Sequence, residues 1–158
     1  MTKEGGAASV IRRAYLFRSL SDAELEHFSR MARFESYGTD RMILSEGEEG
    51  RTLYLVLSGS VRVTRSVGVE NEQVIGFVKT GDFFGEMALL DRRPRSASVH
   101  ANEPVELALF DHDDINRVFE SNPSIGYRVV RAFAEVVSMR LRDTNDRLKA
   151  LLVLDRSF

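Results

Sequence analysis

Glycine-punctuated, β-rich sequence fills the middle of this 158-residue chain, between about Thr39 and Phe110. Short runs of β-branched, aliphatic and aromatic residues alternate there with turn residues, which is typical of strands in a compact sheet. Glycine recurs at the breaks because tight turns need positive φ or close backbone approach. The pattern predicts a small antiparallel β unit, a roll or barrel. The predicted strands are 42–44, 53–57, 61–64, 73–78, 97–100 and 105–110, and the glycines are Gly47, Gly50, Gly59, Gly68, Gly76, Gly81 and Gly85.

Helical periodicity flanks the β unit on both sides. From 7 to 34 the spacing predicts two short helices, and Ser21 with Glu24 forms a capping-box signature at the start of the second. Past the breaker Asn122-Pro123 a long helix is predicted that extends to Leu154. The predicted order is helix, β-roll, helix. The corresponding segments are 1–36, 37–110 and 111–158.

The last helix carries the most regular pattern, a heptad repeat sustained over three heptads. We call its members the heptad seam: Val130, Ala134, Val137, Leu141, Thr144, Leu148 and Leu151. A second stripe, Val129, Phe133 and Val136, lies on a neighbouring face. One stripe can pack on the β unit while the other meets a second copy, which predicts a homodimer. The alternative is that both stripes bury the helix within its own subunit.

Composition excludes several classes of function. Lys plus Arg is 22 and Asp plus Glu is 24, a formal net charge of −2, so whole-surface binding of nucleic acid is not expected. Without cysteine there is no disulfide framework, no thiolate metal site and no cysteine nucleophile. Neither a membrane-spanning apolar run nor a secretory signal is recognised, and a cytoplasmic protein is expected.

The segment 83–99, FFGEMALLDRRPRSASV, carries the chemistry. Gly85 permits close backbone approach, and the amides around Met87 and Ala88 can donate to an anion. Arg95 supplies a planar donor fork of permanent charge, the preferred partner of a phosphate oxygen pair. Glu86 would be repelled by phosphate and is suited instead to accept hydrogen bonds from sugar hydroxyls. Phosphate plus ribose is the implied target.

These residues resemble the phosphate-binding cassette of cyclic nucleotide-binding domains, in the form GEMALLDRRPRSA from Gly85 to Ala97. Upstream, LFRSLSDAELEHF from Leu16 and SEGEEGRTLYLVLSGSVRV from Ser45 are similar to the family's helical motif and early strands. MRLRDTNDRLKALLVLD from Met139 resembles the dimerising helix of the catabolite activator branch. The resemblance implies an α+β, mainly β fold: an antiparallel β-roll (a jelly-roll-like double-stranded β-helix) between N-terminal helices and a long C-terminal dimerisation helix.

The resemblance also implies a role for each site residue. Glu86 would bind the ribose 2′-hydroxyl and Arg95 the exocyclic oxygens of the cyclic phosphate. Ser96 would bind the phosphate or a guanine amino group, while Gly85, Met87, Ala88 and Ala97 would contribute backbone geometry. Thr144 and Asn145 align with positions that reach adenine, one from each subunit. Because Asn pairs with the N6 and N7 edge of adenine, cyclic AMP is favoured over cyclic GMP.

Other classes of function are less consistent with the sequence than a sensor. An enzyme is not expected, because His27, His100 and His112 lack metal-site spacing and no serine sits in a nucleophile elbow. No metal or further cofactor is expected. A transcription factor of the catabolite activator type would continue into a helix-turn-helix, whereas the resemblance stops near Leu154, so no DNA binding by this chain is expected. A sensory piece of a longer regulator, a ligand-free dimeric interaction module, or another phosphate-bearing nucleotide in the same pocket stay open.

Overall fold

The computed structural model describes residues 3–68 and 71–155. Two short helices open the described chain and a long one closes it, as the sequence predicts. Ser21 caps the second helix, where its side chain accepts from the Glu24 amide while the Glu24 carboxylate accepts from the Ser21 amide, 2.8 Å away. The helices are α1 (Lys3–Arg13), α2 (Asp22–Met31), α3 (Glu86–Asp91), α4 (His112–Ser121) and α5 (Pro123–Asp155), with a 3-10 turn at Tyr15–Phe17.

The described residues also form eight strands in two four-stranded antiparallel sheets. The strands are β1 (Arg33–Tyr37), β2 (Met42–Leu44), β3 (Thr52–Ser58), β4 (Ser60–Val67), β5 (Asn71–Lys79), β6 (Phe83–Phe84), β7 (Ser98–Ala101) and β8 (Val105–Asp111). Their order is β1-β8-β3-β6 in the first sheet and β2-β7-β4-β5 in the second. The fold expected from the sequence, a β-roll between helices, is confirmed.

The first sheet is covered on both faces, which explains the continuous apolar run of β3. Successive side chains of a strand point to opposite faces. Leu53 and Leu55 pack into a cluster with the helices, and Val56 packs into a second cluster between the two sheets. Because both faces are buried, apolar residues of β3 do not alternate with polar ones, as they do in a strand that has one face in water.

The first half of α5 packs against the helix-facing side of this sheet. The stripe of Val129, Phe133 and Val136 is buried, as the sequence predicts. Phe133 is fully buried and meets the Phe83 ring edge-on, with centroids 5.1 Å apart. Since Phe83 lies in β6 and is the first residue of the segment 83–99, this contact fixes α5 against the start of that segment.

The second half of α5 extends beyond the β-roll. Every residue from 141 to 154 is exposed, including the seam members Leu141, Leu148 and Leu151. Val130, also on the seam, is 43% exposed. The alternative in which both stripes are buried within one subunit is therefore wrong for this chain, because its own described residues leave the seam uncovered.

The sequence pattern does not predict two of the eight described strands, β1 and β6. It places residue 34 in the helical segment, whereas α2 ends at Met31 and β1 begins at Arg33. β1 is an edge strand paired only with β8, and Phe34 is half exposed, so it shows no buried alternation for a sequence pattern to detect. β6 has only two residues, too few for any periodicity.

Phe133→Ala should lower the free energy of unfolding by about 3–5 kcal/mol, because it removes a fully buried ring and leaves a cavity beside Phe83. Urea unfolding followed by circular dichroism measures the change. Tyr127→Ala, which truncates a largely exposed aromatic ring on the same helix, is the matched control and should cost less than about 1 kcal/mol. Equal losses in the two variants would contradict the docking of α5.

Candidate functional site

A cavity of about 390 Å³ opens between the second sheet, the segment 83–99 and α5. We call it the first cavity. Its sheet side is mainly apolar, and its other walls carry charged and hydroxyl side chains. The sequence-predicted site residues that line it are Gly85, Glu86, Met87, Arg95, Ser96, Ala97 and Thr144, and the remaining lining residues are Leu44, Val63, Ile75, Gly76, Phe77, Val78, Phe84, Val99, Arg140, Asp143 and Arg147.

Gly85 turns the chain from β6 into α3 at the floor of this cavity. Its φ is +83°, a conformation that residues with a side chain rarely adopt. A Cβ at this position would lie 2.8 Å from both the Thr52 carbonyl oxygen and Arg95 Nη1. Glycine is therefore required here twice, for the turn and for the approach of the guanidinium.

Arg95 is buried at the charged end of the cavity, with 6% of its surface exposed. Its Nη1 donates to the Gly85 carbonyl at 3.0 Å and its Nη2 to the Thr52 carbonyl at 2.9 Å. Its Nε is buried without a hydrogen-bond partner among the described residues. Burial lowers the pKa of Arg95, with the charge of Glu86 among the opposing effects. Since carbonyl dipoles do not neutralise a full charge, the guanidinium is well suited to receive an anion.

The loop before β3 fixes Arg95 from behind. Its backbone pairs with that of Arg95, through Gly47 N to Arg95 O at 2.9 Å and Arg95 N to Glu48 O at 2.8 Å. Gly50 packs so closely on the guanidinium that a Cβ there would lie 2.3 Å from Arg95 Nε. Side-chain rotation of Arg95 is therefore restricted by backbone rather than by movable side chains.

Glu86, 5% exposed, forms an ion pair with Arg140 of α5. Arg140 Nη1 donates to Glu86 Oε1 at 2.9 Å, and Nη2 donates to the Phe83 carbonyl oxygen. Sequence reasoning missed Arg140. A signal was present, because Arg140 stands four residues before Thr144 and thus one turn away on the same helix face.

The predicted base-contacting residues are placed differently from one another. Thr144 lines the first cavity, and its hydroxyl donates to the Arg140 carbonyl at 2.9 Å. Asn145 is exposed and is not among the lining residues. Arg147, one turn further along, donates from Nη1 to the Ile75 carbonyl of β5 at 2.9 Å and was also missed from the sequence.

The remaining cassette residues lie at the cavity mouth. Ser96 is exposed, with its hydroxyl 3.5 Å from the Met87 sulfur, and Ala97 is half-buried. Ala88 lies in α3, where its backbone alone is described. Together with Arg95 and Glu86, Ser96 and Ala97 line a cavity with a cationic group at one end, a carboxylate that can accept from hydroxyl groups, and an apolar wall along the sheet.

The described residues hold no cluster of three or more His, Asp or Glu side chains arranged for a metal ion. Within the same part of the chain, no helix combines the length and the apolar character needed to cross a bilayer.

His112, the first residue of α4, is buried close to the charged end of the first cavity. It is 4% exposed, and its Nε2 has no hydrogen-bond partner among the described residues. Burial, followed by the nearby positive charge of Arg95, lowers the pKa of His112 to about 4. The imidazole is therefore neutral at pH 7.

Comparison with known proteins places this geometry in context. Residues 34–122 match the family model of the cyclic nucleotide-binding domain. A CRP-like cAMP-activated global transcriptional regulator from Mycobacterium tuberculosis is 25% identical over 92% of this chain and 63% of its own length. The cyclic AMP receptor protein of Thermus thermophilus is 31% identical over 86% of this chain and 61% of its own length. The chain thus spans less than two thirds of either relative.

A solved structure gives the same result for the fold. The crystal structure of a cyclic nucleotide-binding domain from Methylobacillus flagellatus superposes with a TM-score of 0.80 at 27% identity, covering 91% of this chain and 81% of that one.

Acid should destabilise the fold through His112. Because its folded pKa of about 4 lies below the unfolded value of about 6.5, its contribution is complete above pH 6.5 and is lost as the pH falls from 6.5 towards 4. The linked loss is on the order of 3 kcal/mol. Urea unfolding at pH 7.5, 5.5 and 4.5 should show a smaller loss for His112→Gln than for the unmodified chain.

The matched control is His27→Gln, which replaces an exposed histidine on α2 and should keep the pH dependence of the unmodified chain. An unchanged pH dependence in His112→Gln would contradict the assignment.

Proposed function

This chain belongs to the cyclic nucleotide-binding domain family, and we propose that it is a sensor that binds a cyclic nucleotide in the first cavity, with cyclic AMP preferred over cyclic GMP. The observation that carries the proposal is a pair of buried charged side chains on one cavity: the guanidinium of Arg95, whose acceptors among the described residues are backbone carbonyls, and the carboxylate of Glu86. A cyclic nucleotide presents a phosphate anion close to a free ribose hydroxyl. Arg95 would bind the phosphate and Glu86 would bind the hydroxyl.

Arg95 is the proposed phosphate ligand. An ionised acceptor forms shorter and stronger hydrogen bonds with a guanidinium than a neutral carbonyl does. The exocyclic oxygens of the cyclic phosphate would bind Arg95, whose Nε is unpaired, while Gly85, Met87, Ala88 and Ala97 contribute backbone geometry around them. Ser96, at the mouth of the cavity, would add a hydroxyl donor to the phosphate or to a guanine amino group.

Glu86 is the proposed ribose ligand, and Arg140 connects it to α5. A 2′-hydroxyl that donates to Glu86 joins a carboxylate already bound by Arg140. Ligand binding would therefore change the environment of a side chain whose other end belongs to the long helix. This is the proposed route by which occupancy biases the position of α5.

The base is proposed to lie between the apolar sheet wall and α5. Thr144 lines that part of the cavity, and Asn145, exposed on the same helix, would reach the base of the ligand held by a second subunit. An Asn amide can pair with both the N6 and N7 groups of adenine, which supports cyclic AMP over cyclic GMP. Both curated relatives carry cyclic AMP in their names, which supports the same choice.

The seam of α5 is the proposed dimer interface. Four of its large apolar members, Val130, Leu141, Leu148 and Leu151, are exposed over several turns, which is unusual for a surface that stays in water. A parallel helix pair would cover them and would place Asn145 near the partner's cavity. To move a two-state helix arrangement from 1:99 to 99:1, the ligand needs on the order of 10⁴-fold preference for one state, about 5.5 kcal/mol.

We propose that the protein binds a ligand and does not catalyse a reaction. Its proposed location is the cytoplasm. The relative from Mycobacterium tuberculosis is named as a global transcriptional regulator, which favours a second formulation in which this sensor is the sensory part of a transcription regulator. A ligand-free dimeric interaction module is the contrasting outcome of the test.

Calorimetric titration of the purified chain with cyclic AMP and then cyclic GMP tests the proposal. We expect saturable binding of about one ligand per subunit, with cyclic AMP the tighter. Arg95→Gln should weaken binding at least about 100-fold, since it removes a charge-assisted pair of hydrogen bonds. Arg41→Gln, which removes an equal charge from an exposed turn, is the control and should bind normally.

A second pair of variants keeps every charge. Gly50→Ala should weaken binding because its methyl group would displace the Arg95 guanidinium, whereas Gly38→Ala has open space around it and should not. Absence of heat and of competition with either nucleotide would overturn the proposal in favour of the interaction module.

Leu141→Glu and Leu148→Glu should convert the dimer to a monomer, because each places a charge in the middle of the seam. Sedimentation velocity at micromolar concentration measures the state. Met139→Glu is the matched control: it changes an equally exposed residue on the same helix that lies off the seam, so it should leave the dimer intact. A persistent dimer in the seam variants would move the interface elsewhere.

A further inference from the structure

A second cavity of about 300 Å³ lies beside the first, on the α4 side of the cassette. None of its lining residues lines the first cavity. Gly50 lines the second cavity and also packs on the Arg95 guanidinium, so the two cavities adjoin through one stretch of backbone. The proposed binding of a cyclic nucleotide uses no side chain of this second cavity.

The second cavity is positively charged. Three arginines, Arg51, Arg92 and Arg93, line it together with a single carboxylate, Glu49. Arg51 is paired with Asp113. Within the described residues, the side chains of Arg92 and Arg93 form no ion pair, although they are consecutive and repel each other. With Asp113 counted beside Glu49, the three guanidinium groups exceed the carboxylates by one, so an anion would balance the cavity.

His112 supplies an independent sign of a ligand. It lines the second cavity at the start of α4, it is more than nine-tenths buried, and its Nε2 has no hydrogen-bond partner among the described residues. A buried polar atom without a partner is uncommon and costs free energy unless something satisfies it. In its Nε2–H tautomer, His112 donates a hydrogen bond.

The first turn of α4 is already satisfied within the chain, because Asp111 accepts from the Asp113 amide and the His112 amide donates to the Arg51 carbonyl, each at 2.8 Å. The other carboxylates of that turn are paired, Asp113 with Arg51 and Asp114 with Arg117. The preference for an anion therefore comes from side chains. Asn116, one turn along, lines the same cavity and brings an amide donor.

We propose that the second cavity binds a small phosphate-bearing anion, a phosphomonoester or a diphosphate, whose oxygens are held by Arg92 and Arg93 and by His112 Nε2. A guanidinium fork matches two phosphate oxygens, and a phosphate group offers three acceptor oxygens to the donors of this cavity where a carboxylate offers two. Arg92 and Arg93, both exposed after α3, become ligands.

Nuclear magnetic resonance of the full chain with inorganic phosphate and then pyrophosphate as probes tests the proposal. At pH 7 and constant ionic strength, the imidazole ¹⁵N signals of His112 and the amide signals of Asn116 should shift saturably. His27 and His100 should stay unchanged. Acetate, the carboxylate arm of the test, should bind at least tenfold more weakly.

Paired variants locate the site. Arg92→Gln with Arg93→Gln should weaken pyrophosphate binding at least tenfold. Arg13→Gln with Arg30→Gln removes the same charge from exposed positions on the N-terminal helices and should bind as the unmodified chain does.

Two results would overturn the proposal. The first is an unchanged affinity for pyrophosphate in the Arg92→Gln, Arg93→Gln variant. The second is a set of saturable amide shifts confined to Gly85 and Thr144, because the probe would then occupy the first cavity. Absence of cyclic nucleotide binding would overturn the sensor while leaving the His112 shifts intact, so the two failures are distinguishable.

Discussion

The buried guanidinium of Arg95 is the interaction around which the molecule is arranged. A permanent charge with 6% exposure would be strongly destabilising in an apolar core, and here two backbone carbonyls hold it in place. The carbonyls come from Thr52 and Gly85, on separate strands of the first sheet or their ends, so the β-roll must be folded before the site exists. Gly50 and Gly85 are glycines because the guanidinium occupies the space that a Cβ would need. The charge is only partly compensated, and this leaves an anion more to gain here than at a surface arginine.

Glu86 extends this arrangement to the long helix. Arg95 is held by backbone of the β-roll, whereas Glu86 is held by Arg140 of α5. Arg95 and Glu86 are thus fixed by different parts of the fold. Phe133 against Phe83 fixes the first half of α5, and Arg140 is anchored further along, near the point where the helix leaves the β-roll. A ligand that contacts both charged groups would bridge the rigid sheet and the exposed half of α5.

The sequence predicted what depends on local pattern and failed where tertiary contact decides. Six strands, the capping box at Ser21 and the two stripes of α5 followed from periodicity and turn residues. β1 was missed because its side chains are mostly exposed, and β6 because two residues hold no period. Arg95 and Glu86 stood in a recognisable motif. Arg140 lies outside that motif. Its role depends on Glu86, 54 residues earlier in the chain, whose carboxylate the fold brings within 2.9 Å.

The two cavities adjoin at the loop 47–50 and are both lined by residues of the segment 83–99, and this constrains how they can influence each other. The loop 47–50 is hydrogen-bonded to the backbone of Arg95 on one side and lines the second cavity on the other. A methyl group at Gly50 would collide with the guanidinium, so this loop and the Arg95 side chain lie in close contact. An effect of one cavity on the other can pass through this backbone, through the segment 83–99 or through the field between their charges. By linkage, a factor by which an anion in the second cavity changes affinity in the first is the same factor by which a ligand in the first changes affinity in the second. Glycine at position 50 is thus both a condition for the Arg95 site and a point of close contact between the second cavity and Arg95.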